Sequence, residues 1–443
     1  MGIAVMKTKA EQAFSETFTQ VVDQLPGSPD VRALRDKAIS EFDALGLPHR
    51  RIEEWKYTDL RNQLKEALPV ALGDDTALTI ADVIVALGPL AHIDANRVVL
   101  VNGRHRAELS NTDGIDGVNF SSVAAALGQD GNVLKSKSVP NDDAVLALNT
   151  AYVTDGAIVE IANGTTLAKP LMLVHVRAGK NAQFNAIRHV ISVGNNADAT
   201  IMEAFVTLPG AASEGQINAA SDVTVGDEAT LHHVKMCSDA GANTHLANWM
   251  LNLGKACTYR GFQQTQGVSL ARHQVLVTFN GENSKMDLSG AFMGAGNDHI
   301  DTTMVVNHDV PGCESRELFK GVLQDRARGV FQGKVVVQPI AQKTDGKQMA
   351  QALMLSPDTE FDSKPELEIY ADDVACGHGS TVAEIDADLL FYCQSRGIPE
   401  AMARVLLTES FIAEAIEQIE VEPVQEALLA CAREWLETAT RRD

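Results

Sequence analysis

The chain has 443 residues, of which 45% are hydrophobic, 22% charged and 5% aromatic. This composition is typical of an ordered protein rather than a disordered one. The formal net charge of −22 argues against nucleic acid or an anionic membrane surface as a partner, because both require a basic surface. The first residues lack the apolar core of a signal peptide, and no run approaches the roughly 20 apolar residues that span a bilayer. We therefore expect a cytoplasmic protein with two or three structural regions.

Residues 1–95 are predicted to form an N-terminal helical region. Apolar residues recur at helical spacing from Phe14 to Leu25 and from Val31 to Leu45, which indicates two amphipathic helices before Pro48. The segment Gly46–Leu60 then places Trp55 and Tyr57 among charged residues, which fits an amphipathic connection folded onto a neighbouring surface, although helix packing is the favoured interpretation. These helices could cap one end of the region that follows.

Residues 96–385 consist of short β-branched runs separated by Gly, Asn and Asp, which is the pattern of strands and turns. Helical patterns of ten or more residues do not separate these runs, so a βαβ layout is disfavoured, while a sandwich, a barrel and a solenoid remain. Turn signals after every second strand over nearly 300 residues favour a β-helix solenoid, although no strict period can be assigned. A solenoid leaves unpaired backbone groups on its last turn, which predicts a cap or a partner there.

Residues 386–443 return to helical periodicity, with an apolar stripe from Ala401 to Ile419 and a second after Pro423. Such a terminal helical region is either a cap or a docking surface. The pattern alone does not choose between the two.

The six cysteines are scattered and form no CxxC pair, which predicts reduced thiols and argues against a complete iron-sulfur cluster held by this chain alone. Most of them are expected to be small packing residues: Cys237, Cys257, Cys313, Cys393 and Cys431.

Cys376-Gly377-His378-Gly379 is the exception. On an extended segment, Cys376 and His378 lie on the same face, and the neighbouring glycines remove bulk. Neutral imidazole is a competent iron ligand at cytoplasmic pH, whereas a thiolate needs a lowered pKa, which the preceding Asp372-Asp373 pair would oppose. His378 is therefore the stronger candidate ligand and Cys376 the weaker one.

Other candidate sites are weaker. The sequence contains no GxxxxGK[ST] loop, so ATP hydrolysis is expected in another chain. His299 and Asp301 would share a strand face, but His308 is expected beyond a turn, and internal hydrogen bonding is the favoured interpretation of these residues. His232 and His233 are adjacent and would point to opposite faces.

Several motifs occur in order along the chain. RRIEEWKYTDL and LNTAYVTDG precede a long run, Glu314 to Ser356, and PELEIYADDVACGHGSTV and LFYCQSRGI follow it. They resemble the SufD branch of the SufB/SufD family of iron-sulfur cluster assembly scaffold subunits, over most of the chain. The resemblance implies a right-handed parallel β-helix between helical terminal regions and a non-catalytic role. A SufB branch is disfavoured, because its Glu-flanked histidine segment and N-terminal cysteine cluster are absent. Cys393 departs from the apolar residue common in the family.

The resemblance also implies partners. A SufB-like homologue would pair through the β-helix, with self-association as the alternative when it is absent. A SufC-like ABC ATPase would dock on the C-terminal helices, for which the candidate residues are Leu390, Phe391, Tyr392, Arg396 and Phe411. An iron-sulfur cluster or iron would be held transiently and shared with the partner, with His378 near the interface. The resemblance suggests a reduced flavin in the assembled complex but leaves open whether it binds there.

Two functions of other classes compete with the scaffold. A homo-oligomeric iron-binding protein would use His299, Asp301 and His308. A polysaccharide-acting β-helix enzyme would need paired carboxylates and an aromatic platform, but only five tyrosines and three tryptophans are present, and none cluster in the strand region.

Overall fold

The computed structural model describes residues 7–73, 76–112, 114–129, 131–135 and 142–440. The outermost parts of the predicted terminal regions, residues 1–6 and 441–443, lie outside this range. The helices are α1 (Lys9–Val21), α2 (Pro29–Leu45), α3 (Leu60–Gln63), α4 (Ile80–Leu87), α5 (Val123–Leu127), α6 (Ala144–Tyr152), α7 (Ala387–Ser395), α8 (Glu400–Ile416) and α9 (Glu422–Thr440).

The strands run from residue 96 to residue 383. They are β1 (Asn96–Val101), β2 (Arg104–His105), β3 (Val118–Ser122), β4 (Ala157–Ile161), β5 (Leu171–Arg177), β6 (Phe184–Val193), β7 (Asp198–Thr207), β8 (Glu214–Val225), β9 (Thr230–Leu253), β10 (Thr258–Phe279), β11 (Lys285–Gly294), β12 (His299–His308), β13 (Glu314–Leu323), β14 (Arg328–Val337), β15 (Asp345–Met354), β16 (Glu360–Ile369) and β17 (Ala375–Ala383).

These strands build a parallel β-solenoid of about eight turns flanked by N-terminal and C-terminal helices, which confirms the predicted fold class. Each turn contributes one strand to each of two walls. Wall A contains β1, β5, β7, the first halves of β9 and β10, and then β11, β13, β15 and β17. Wall B contains β4, β6, β8, the second halves of β9 and β10, and then β12, β14 and β16. Alternating residues of both walls fill a shared interior.

One corner of the solenoid repeats a left-handed backbone. Residues with positive φ recur there 27 to 32 positions apart, at Gly164, Asn196, Glu228, Ala256, Asn283, Gly312 and Lys343. A bend in the left-handed region allows the chain to reverse direction tightly, and Gly and Asn tolerate it best. The variable spacing explains why the turn signals were visible in the sequence although no strict period was.

The helices pack along the outer faces of the walls rather than over the ends. Helices α1, α2 and α6 bury their apolar faces against wall B residues such as Phe184 and Leu270. Helices α4, α8 and α9 cover wall A residues such as Met202 and Phe262. The expectation that the N-terminal helices cap an end was therefore wrong, because the apolar surface they must bury lies on the side of the solenoid.

The two ends of the solenoid differ. At the first turn, β2 and β3 add antiparallel pairings to β1 and β4. At the last turn, β16 pairs with β14 and β17 pairs with β15, and within the described residues no strand pairs with their outer edges. The open backbone edge predicted from the sequence is thus at the C-terminal end of the solenoid.

Candidate functional site

Cys376 and His378 lie on β17, the last strand of wall A. In the ladder, Cys376 pairs with Gly346 and His378 with Gln348. Because side chains alternate along a strand, both residues are on the face that continues the solenoid interior. Cys376 is half-buried and packs on the interior core, whereas His378 is exposed at the open end.

The glycines beside His378 have different surroundings. A Cβ at Gly377 would have no neighbour within 4 Å, while one at Gly379 would lie 2.7 Å from Met349 Cε. On the outer face of β17, the space beside Gly377 is therefore open, whereas the space beside Gly379 is occupied by Met349.

The pKa of the Cys376 thiol is raised, mainly by burial and further by the charges of Asp345 and Glu317. The raised pKa opposes thiolate formation, as predicted from the sequence. The acidic residues that raise it are Asp345 and Glu317, however, and not the predicted Asp372 and Asp373. Asp373 is instead paired with Lys343. His378 remains the better candidate for a metal ligand, because its imidazole is exposed and needs no ionisation to bind.

Beneath His378, the same ladder continues into the interior. His378 pairs with Gln348 on β15, which pairs with Glu317 on β13. Glu317 is 2% and Gln348 3% exposed. Both amide atoms of Gln348 lack a hydrogen-bond partner, and neither Glu317 oxygen makes a hydrogen bond of good geometry; the Ser315 hydroxyl is the one polar side chain described as interacting with the Glu317 carboxyl by hydrogen bonding. Burial raises the pKa of Glu317 to about 8. Sequence reasoning did not find these two residues, because only the strand register places them below His378.

Deeper in the interior, a polar cluster surrounds Glu203. Its Oε1 accepts hydrogen bonds from Ser221 Oγ (2.7 Å), His233 Nε2 (3.0 Å) and Trp249 Nε1 (3.0 Å). Tyr259 lies 3.1 Å from His233 Nδ1. As predicted, His232 points to the opposite face from His233: it is half-buried on the outside of wall A.

His299 and Asp301 share the outer face of wall B and are hydrogen-bonded internally. His299 Nε2 lies 2.8 Å from Thr58 Oγ1, and Asp301 contacts Thr58 and Arg272. His308 ends the same strand, so the turn expected before it does not exist. It faces the interior, 3.2 Å from Ser315 Oγ. The three residues therefore do not converge on a metal.

The segment Gly46–Leu60 is held on wall B by the same contacts. Trp55 is buried, and the Arg272 guanidinium stacks 3.9 Å from its ring centroid. Arg272 Nη2 also donates to the Glu54 carbonyl at 2.7 Å. Trp55 also belongs to the apolar cluster of α1, α2 and α6, so the segment combines the amphipathic connection with the helix packing that was favoured.

The cysteines other than Cys376 behave mainly as predicted. Cys237, Cys257, Cys313 and Cys431 are buried, and Cys393 is half-exposed on α7. Within the described residues, no group of three or more His, Cys, Asp or Glu side chains could hold a metal ion. None of the helices described is long and apolar enough to cross a membrane.

Helix α7 exposes most of the proposed docking residues. It has no buried residue, and the exposures of Phe391 and Tyr392 are 70% and 55%. Arg396 stacks on the Tyr392 ring at 4.7 Å, and Leu390 is half-buried beside it. Phe411 on α8 instead packs against wall A under Lys320, 4.3 Å from its ring centroid, and so contributes to helix packing.

Two family models match the chain. The SufBD protein N-terminal region matches residues 8–173, and the SUF system FeS cluster assembly SufBD core domain matches residues 175–411. The chain belongs to the SufBD family of the SUF iron-sulfur cluster assembly system. The SufBD models divide the chain near residue 174, inside the solenoid, and the boundaries at residues 96 and 386 stay a prediction.

Curated SufBD relatives cover nearly the whole chain. The SufBD family protein slr0076 of Synechocystis is 31% identical over 94% of this chain and 97% of its own length. SufD of Escherichia coli is 31% identical over 87% of this chain and 88% of its own. SufD of Bacillus subtilis is 24% identical over 96% and 97%. These matches confirm the resemblance to SufD.

Proposed function

We infer that the chain is a non-catalytic scaffold subunit that acts in the cytoplasm. It pairs through the end of its solenoid with a SufB-type homologue and carries a SufC-type ATPase on its C-terminal helices. The cluster or iron is cargo, held transiently at the joint between the two solenoids. ATP hydrolysis belongs to the ATPase partner.

The observation that carries this proposal is the open last turn of the solenoid. The outer edges of β16 and β17 offer backbone donors and acceptors that a homologous solenoid could continue. His378 stands on that edge strand with its imidazole exposed. The cysteines and the other potential ligands among the described residues do not complete a cluster site, so His378 supplies part of a site to which the partner adds the remaining ligands.

Co-expression tests this proposal. The full chain is produced with a SufB-type homologue and a SufC-type ATPase, as wild type, His378→Ala and Cys376→Ala. We expect all three complexes to co-purify, because each substitution removes one side chain and no backbone pairing. Iron and acid-labile sulfide should fall several-fold in His378→Ala and less in Cys376→Ala. Normal cluster content in His378→Ala refutes the ligand role, and failure of the wild-type complex to form refutes the scaffold assignment.

The ATPase surface is tested separately on α7. Deleting the C-terminal helices is a poor test, because α8 and α9 cover wall A and their removal would expose its apolar face. Phe391→Ala/Tyr392→Ala removes exposed side chains instead. We expect it to weaken ATPase binding at least tenfold while the SufB-type partner is retained. The matched control is Ile80→Ala/Val85→Ala, which removes comparably exposed apolar side chains from α4. Equal ATPase binding by both variants would contradict the assignment to α7.

A further inference from the structure

Glu317 and Gln348 form a buried polar niche in which the Ser315 hydroxyl is the one described hydrogen-bonding neighbour of Glu317. Four polar atoms, two on each side chain, are removed from solvent without a hydrogen bond of good geometry, and one hydroxyl cannot satisfy both oxygens of the Glu317 carboxyl or the Gln348 amide. An unsatisfied buried polar group costs about 1–3 kcal/mol. A fold that only needed packing at these positions would be more stable with apolar residues, as at Leu288, which occupies the next position of the same ladder.

The niche lies directly inside the open end of the solenoid. Neighbouring parallel strands are about 4.8 Å apart, so His378, Gln348 and Glu317 follow one another inward from the surface. Gln348 points across the interior towards wall B, where a Cβ at Gly333 would lie only 2.9 Å from Gln348 Oε1. The absence of a side chain at Gly333 thus leaves the space that the amide occupies.

The donor set suits a borderline divalent cation. Glu317 offers two carboxylate oxygens, Gln348 an amide oxygen and His378 an imidazole nitrogen, and such mixed oxygen and nitrogen ligands are used for Mn²⁺ and Fe²⁺. Three side chains do not fill the coordination shell of such an ion, so water must complete it. Few protein ligands give a weak, exchangeable site, as a cargo ion requires.

We propose that Glu317 and Gln348 are the inner ligands of a ferrous-ion site that is entered through the open end of the solenoid beside His378. The choice of iron rests on the proposed function. The site belongs to this chain and loads before or during pairing with the partner.

Anaerobic equilibrium dialysis of the full chain against Fe²⁺ alone tests the site. We expect about one ion per wild-type chain. Glu317→Gln and Gln348→Leu should each weaken binding at least tenfold, because each removes an oxygen ligand at nearly constant volume. Glu314→Gln is the matched control: Glu314 is on the same strand but faces outward, 3.3 Å from Lys285, and its loss should leave binding unchanged. Circular dichroism and thermal melting confirm that each variant is folded.

The outcomes separate this site from the proposed function. No Fe²⁺ binding by the wild type, or unchanged binding by Glu317→Gln and Gln348→Leu, overturns the niche as an ion site. If that happens while His378→Ala still lowers the cluster content of the complex, the scaffold role stands without the niche. Weakened Fe²⁺ binding by Glu317→Gln together with normal clusters in the His378→Ala complex supports the niche and refutes the cluster-ligand role of His378.

Discussion

Glu203 shows how a single polar residue organises the interior of the solenoid. Its Oε1 accepts hydrogen bonds from three buried donors that come from both walls, Ser221, His233 and Trp249. Shortening the Glu203 side chain to the methyl group of alanine would leave all three donors unsatisfied and open a cavity. We expect Glu203→Ala to lower the free energy of unfolding by about 3–5 kcal/mol, measured by chemical denaturation.

Glu160→Ala is the control for this effect. Glu160 is exposed on β4 and accepts one hydrogen bond from Asn119 at 2.9 Å, so its loss should cost less than about 1 kcal/mol. If the two variants are equally stable, Glu203 does not hold the walls together.

The orientation of a side chain could be predicted from the sequence where alternation along a single strand decides it. The opposite orientations of His232 and His233 followed from that rule alone. Glu317 and Gln348 could not be found in this way, because 31 residues separate them along the chain. The residues that pair between neighbouring turns depend on the length of each turn, which varies by several residues here. A shift of one residue would move every side chain of the strand to the opposite face.

At the scale of elements, the connection from Gly46 to Leu60 depends on Arg272. This guanidinium pairs with buried Asp301 and stacks on Trp55. Removing one partner of a buried ion pair leaves an uncompensated charge. We expect Arg272→Ala to lower stability by about 3–5 kcal/mol and to expose residues 46–60 to limited proteolysis.

The control for the connection is Arg404→Ala, which breaks an exposed pair with Glu400 on α8. Exposed pairs contribute about 0–1 kcal/mol, so this variant should keep wild-type stability and protease resistance. Identical proteolysis patterns for Arg272→Ala and wild type would show that the connection is held by other contacts.

The existence of the terminal helices could be predicted from periodicity, but their position could not. An amphipathic stripe shows that a helix buries one face and does not identify the surface that covers it. Here the outer faces of both walls carry apolar residues, and the helices cover them. The unpaired end of the solenoid is formed by its last two strands, β16 and β17.

At the scale of the whole molecule, the interior makes stability depend on pH. Burial lowers the pKa values of five interior histidines, to about 4 for His189 and His308, and well below the usual range for His175, His245 and His273. In the unfolded chain these groups take up protons near pH 6.5. The folded state is therefore fully favoured above pH 6.5, and this stability is lost as pH falls towards 4.

His245→Phe isolates one histidine of this set. Both ring nitrogens of His245 are buried without partners, and the ring packs edge-on against Phe205 at 4.7 Å. Phe should remove an unsatisfied polar ring and one titrating group. Between pH 7 and 5 we expect the variant to lose less stability than wild type, by up to about 1.4 kcal/mol per pH unit below pH 6.5. Parallel stability curves for the two proteins would contradict this account.

If a homologous partner completes the last turn of the solenoid, the backbone of that turn must become hydrogen-bonded in the complex. Hydrogen–deuterium exchange of the full chain, alone at low concentration and in complex with a SufB-type homologue, measures this at the backbone. We expect peptides covering β16 and β17, residues 360–383, to become strongly protected in the complex, while peptides from the first turn of the solenoid do not change. Equal exchange of residues 360–383 in both states would contradict it.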